Sequence, residues 1–172
     1  MSRDRPPLWS IVGTLLAAPL FIATFIVYVP WALTGWRLGP PFFGWIPGRW
    51  FGVALIVTAS PIMLDFAARF VLEGHGTPVP VAPPQRLVVR GVYRFVRNPA
   101  YVAATLAMIG QALLFGSVQV LIYGVVMALA YHLLVVLHEE PSLRAKFGAE
   151  YEAYCRSVPR WWPRLRRRVR DR

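Results

Sequence analysis

A chain of 172 residues that is 56% hydrophobic and only 16% charged is too apolar for a soluble domain of its length, and one domain accounts for it. Its net charge of +11 is concentrated, with ten basic residues between Arg144 and Arg172; this is the layout of an integral membrane protein with a basic tail, not of a nucleic-acid binder. The single cysteine, Cys155, excludes an internal disulfide framework and a cysteine-based zinc site.

Taken in chain order, Arg3 and Arg5 precede an apolar run from Leu8 to about Leu33. That run is too long for a cleaved signal segment and long enough to span a bilayer, so residues 9–33 read as a retained first helix. A second span is expected over 50–72, a third over 99–115 and a fourth over 118–138, the last two forming a hairpin with Gly116-Ser117 at its tip. At about 1.5 Å per residue each crosses roughly 30 Å of hydrocarbon, the third only just. Pro19, Pro30 and Pro61 fall in or at the ends of the first two spans, where neighbouring helices tolerate a kink.

With four spans, Arg3, Arg5, Arg86, Arg90, Arg94, Arg97 and the basic tail share one side, and only Arg37 and Arg49 fall on the other. By the positive-inside rule both termini and segment 73–98 face the cytoplasm, and the expected location is a bacterial inner membrane. The stretch "EGHGTPVPVAPPQ" from Glu73 to Gln85 reads as an irregular cytoplasmic connection. In the segment 141–172, Leu143, Phe147, Tyr151, Tyr154 and Val158 share one helical face, an amphipathic helix lying on the membrane or on the protein. Trp161 and Trp162 suit the headgroup layer, and the arginine run after them suits anionic lipid. The fold expected is an all-α integral membrane protein with about four transmembrane helices and a C-terminal amphipathic interfacial helix.

Polar residues near the cytoplasmic ends are the candidates for chemistry. Asp65 and Arg69 sit four apart, suited to an ion pair with Arg69 snorkelling or to a cavity wall. Glu139 and Glu140, after His138, point about 100° apart on a helix, so that one faces inward while the other reaches water, or both simply mark the helix exit. No metal site is expected: His132, His138 and the glutamates lack the spacing of a helical zinc motif, and His75 has no spaced partner. "RGVYRFVRNPAYVA", Arg90 to Ala103, carries more than a basic collar needs. Pro99 with Asn98 as N-cap is helix-start chemistry, and such an N-terminus offers free N–H groups to an anion. With Tyr93, Tyr101 and the arginines it outlines a cytoplasm-facing pocket between helices three and four, lined by Glu139 or Glu140.

At these residues the chain resembles the isoprenylcysteine carboxyl methyltransferase and phospholipid methyltransferase superfamily of membrane enzymes. The elements that match are Gly91, Tyr93, Arg97-Asn98-Pro99-Ala100-Tyr101, Glu139-Glu140, Leu143, Phe147-Gly148, Tyr151, Tyr154 and "VPRWWP", in order around a helical hairpin and covering about residues 74–163. The resemblance implies a methyltransferase dependent on S-adenosylmethionine that takes a lipophilic acceptor entering laterally from the membrane. It carries cofactor contacts onto Gln85, Arg86, Leu87, Val88, Tyr93, Asn98, Pro99, Ala100, Tyr101 and Glu139. Arg97 and Glu140 become the catalytic candidates, Glu140 as the base for an amine acceptor.

Two positions depart from the pattern. Asn98 stands where the family has histidine, keeping hydrogen bonding but no titratable group. Val135 stands where prenylcysteine enzymes place the arginine that holds the substrate carboxylate, leaving His132 or Arg97 to substitute. An isoprenylcysteine-type acceptor is the first expectation and a phospholipid amine the second. An NADPH enzyme resembling the sterol reductases and a non-catalytic lipid-binding module are the alternatives of other kinds.

Overall fold

The computed structural model describes residues 19–73, 87 and 89–163, the side chains of 67–73 excepted. Among these the regular structure is helical, without strands. Four long helices carry the architecture: α1 (Pro19–Thr34), α2 (Pro47–Glu73), α3 (Pro99–Phe115) and α4 (Val118–Phe147). A short α5 (Ala149–Ser157) follows α4 across Gly148. Segment 47–66 of α2 and all of α4 are long and apolar enough to cross a membrane, whereas the described part of α1 and the whole of α3 are shorter than that length.

The core sits on α3, whose Ala103, Ala104, Ala107 and Met108 are buried against Ile26 of α1, Ala59 of α2 and Tyr131 of α4. Between apolar helices in lipid, close packing of small residues replaces the hydrophobic drive. Gly52 of α2 and Gly110 of α3 set the distance: a Cβ on Gly52 would lie 2.6 Å from the Gly110 carbonyl oxygen, and one on Gly110 2.7 Å from that of Gly52. At the hairpin tip Gly116 takes φ +64°, and a Cβ there would fall 2.0 Å from the Pro40 oxygen. Ser117 then caps α4, its hydroxyl accepting from the Val120 N–H at 3.3 Å.

Prolines shape two of the helices. In α1 the segment Ile22–Tyr28 is π-helical, and the Val29 N–H reaches back to the Thr24 oxygen instead of that of Phe25. Pro30 next offers no N–H to Ile26. Both freed carbonyls are met by neighbours: Tyr123 Oη donates to Phe25 at 2.9 Å and Gln111 Nε2 to Ile26 at 2.9 Å. In α4 the π turn Val135–Glu139 likewise ends just ahead of Pro141, with the Glu140 N–H bonded to Val135. Such bulges re-aim the side chains beyond them.

α4 has two distinct faces. Val120, Gly124, Tyr131 and Val135 are buried at helical spacing, a stripe that continues to Glu139. Val118, Ile122, Val125, Val126, Leu129, Leu133 and Leu137 are exposed on the opposite side, as a lipid-facing surface requires. Exposed Tyr28, Trp31, Trp36, Trp45 and Trp50 mark one end of the bundle as an aromatic belt.

As helices, the segments expected at 50–72 and 99–115 fall on α2 and α3 within a few residues, and Gly116-Ser117 forms the tip between α3 and α4. Two boundaries are corrected. The fourth helix does not stop at 138 but runs through Pro141 to Phe147, because the π turn absorbs the proline. The amphipathic segment is therefore split between the end of α4 and α5 by Gly148, at φ +49°. Its apolar face packs on the protein: Tyr151, Tyr154 and Val158 are buried with Leu87, Leu143 and Phe147 against them. The beginning of the first span, the loop around His75, Arg69 as a side chain and the arginine run from 164 lie outside the described residues.

Candidate active site

The start of α3 and the end of α4 meet at one end of the bundle. Pro99 is buried at the first turn of α3, with Asn98 at the N-cap position. The Asn98 side chain does not cap the helix, contrary to expectation. Its Nδ2 donates instead to the Arg160 carbonyl at 3.3 Å. The reason is tertiary, since the segment after α5 folds back along residues 91–98. Tyr154 Oη donates to the Tyr93 carbonyl at 2.7 Å, and the Arg97 N–H donates to that of Pro159 at 2.9 Å. Residues 158–161 thus form a strap over the beginning of α3.

One turn into α3, the Tyr101 hydroxyl donates to Glu139 Oε1, which the π turn has aimed inward. The Tyr101 ring stacks on Tyr131 of α4, with centroids 4.8 Å apart and planes inclined by 24°. Glu139 is half-buried, and Ala100 and Tyr93 are half-buried nearby in the chain.

Glu140 goes elsewhere. It is 2% exposed, and its carboxylate is gripped by Arg160 through Nε at 2.6 Å and Nη2 at 2.9 Å. Arg97 Nη1 lies 3.2 Å away and Arg144 Nη2 3.6 Å away. The sequence left open whether one of the two glutamates reaches water or both simply mark the helix exit; both are turned into the protein, Glu140 the more deeply. The bond to Glu140 raises the Arg160 guanidinium above its usual value, and Trp161 Nε1 donates to His132 Nδ1 at 3.2 Å. Arg97 also touches the Cys155 sulfur. Burial lifts the phenols of α5 above the usual tyrosine range, Tyr151 to about 12, with the nearby Cys155 and Glu140 adding to it.

Of the residues singled out from sequence, Arg97, Asn98, Tyr101, Glu139 and Glu140 converge here, with Pro99 and Ala100 in the same helix start. Tyr93 enters through its carbonyl, and Leu87 packs on the Tyr151 cluster. Gln85, Arg86 and Val88 lie outside the described residues. Sequence reasoning missed Arg160 and Tyr131. Arg160 stood inside "VPRWWP", where a lone arginine after a helix resembles a solvated charge. Tyr131 lies two turns before Glu139 on the same stripe, a periodic signal available in the sequence.

A helical membrane protein with a carboxylate and paired tyrosines at the junction of two helices, tied down by arginines gathered on a buried glutamate, is the class that fold and site define. Residues 47–150, more than half of the chain, match the profile of the phospholipid methyltransferase family, and the chain belongs to that family of membrane methyltransferases. Among curated proteins none matches the chain.

Proposed function

We propose that the protein is an S-adenosylmethionine-dependent methyltransferase that works at the cytoplasmic face of a four-span bundle. Its acceptor is lipophilic, entering laterally between helices, and the reacting atom is an amine nitrogen of a phospholipid headgroup. The observation that carries the reading is the meeting of Tyr101, in the first turn of α3, with Glu139 at the π turn of α4.

The residues present suit the donor's polar groups. Glu139 matches an ammonium. The first-turn amides of α3, which the Asn98 side chain leaves uncapped, match a carboxylate. Tyr101 and Tyr93 supply aromatic surface for a base. When bound, the donor supplies a methyl group on a sulfonium, which an in-line nucleophile takes up. The chain's own contribution is alignment of the acceptor and exclusion of water.

A nitrogen acceptor is favoured over a carboxylate. Val135 is buried on the inner stripe of α4, where it offers no charge. The guanidiniums of Arg97, Arg160 and Arg144 are engaged by Glu140. A protonated amine must lose its proton before it attacks. Glu139 is better suited to take it than Glu140, whose charge is held by three arginines. Arg97 and Glu140 then serve to fix the strap and the start of α3.

Calorimetry on detergent-purified protein tests the reading: S-adenosylhomocysteine should bind and NADPH should not. Glu139→Gln should weaken that binding by about tenfold or more, in line with loss of a charge-assisted hydrogen bond. Unchanged affinity would remove Glu139 from the donor site. Absence of binding by the parent protein would leave the non-catalytic module standing.

A further inference from the structure

We infer that Tyr131 is an acceptor-positioning residue, its hydroxyl bonding the polar head of the lipid that receives the methyl group. The inference rests on the function proposed above. It begins with hydrogen bonding: Tyr101, Tyr123 and Tyr154 each give their hydroxyl to a carboxylate or carbonyl. Tyr131, only 4% exposed, has no such partner for its Oη among the described residues. A buried hydroxyl without a partner is costly, and more so at membrane depth. The cluster it belongs to is built of Ile26, Ala104, Ala107 and Met108, with Tyr101 and Tyr123 the polar side chains packed against it, both already bonded elsewhere, so a water there would find few of the two to four polar partners it needs.

Position assigns the ligand. Tyr131 lies on the buried stripe of α4 one turn before Val135 and two turns before Glu139, so its backbone sits about 12 Å deeper along the span than that of Glu139. A lipid sliding in between helices passes that depth. The Tyr101 ring lies over that of Tyr131 while its hydroxyl is bonded to Glu139, so one side chain covers both groups. Displacing Tyr101 from Glu139 uncovers the Tyr131 ring as well, which couples occupation of the carboxylate to access by the acceptor.

The test uses Tyr131→Phe, which keeps the ring and removes only the hydroxyl, with phosphatidylethanolamine in mixed micelles as acceptor and labelled S-adenosylmethionine as donor. The expected result is a KM for the lipid raised about five- to tenfold, the worth of one hydrogen bond, with S-adenosylhomocysteine affinity unchanged. Three results with the variant overturn it. A higher melting temperature with the same KM would mean a merely stranded hydroxyl. A lower melting temperature with the same KM would mean a structural partner. Equal losses in donor affinity and KM would place Tyr131 in the donor site. If the parent protein binds S-adenosylhomocysteine but transfers nothing to this lipid, the amine-acceptor reading falls and the inference with it.

Discussion

Replacing Glu140 by Gln should release the strap without unfolding the bundle. The size of the effect follows from what each arginine loses. Arg144 is half-exposed and keeps Glu152 at 2.8 Å, so its share is small. Arg160, 30% exposed, turns to water at modest cost. Arg97 is the group that suffers, since its side chain is 11% exposed. Removing one partner of a buried pair costs about 3 kcal/mol or more. At about 1.4 kcal/mol per factor of ten, the strap should open on the order of a hundredfold more often. Limited trypsin digestion in detergent reads this directly, because Arg156 lies just before the strap and Arg160 within it, and cleavage tracks the open population when reclosing is fast. Donor affinity should fall as well, since Asn98 is held by the Arg160 carbonyl. Unchanged protection of these bonds in Glu140→Gln would show that the arginine cluster does not hold the strap.

Two further outcomes are expected. Gln111→Leu and Tyr123→Phe each strand a carbonyl freed by the π turn and proline of α1, so each should cost about 1–2 kcal/mol in thermal melting; the two together should be close to additive unless α1 detaches. Raising the pH should loosen α5 from the bundle. Tyr151 has a folded-state pKa raised to about 12 against about 10 when unfolded. Its stabilisation is therefore complete below pH 10 and lost as pH climbs through about 12. Phenolate absorbance rising in step with tryptic release of the C-terminal segment would confirm this, whereas ionisation near pH 10 without release would contradict it.

The sequence alone determined the helical class, because uninterrupted apolar runs, with backbone groups that must bond internally in lipid, leave few alternatives. It also located the hairpin, since Gly116-Ser117 combines a left-handed turn residue with an N-cap. The order of tyrosines, Asn98-Pro99 and Glu139-Glu140 around that hairpin placed the site between the start of α3 and the end of α4 by resemblance. Local chemistry misled where distant groups compete: Asn98 has the right residue type for a cap, yet a carbonyl sixty-two residues away takes its amide. The roles of the two glutamates were not separable in one dimension, because adjacent carboxylates differ only in what the fold brings to them. A π turn ahead of Pro141 hands one to a tyrosine, and the returning strap hands the other to three arginines. Short-range patterning fixed the helices; contacts between residues far apart in the chain decided which carboxylate meets a tyrosine and which is held by three arginines.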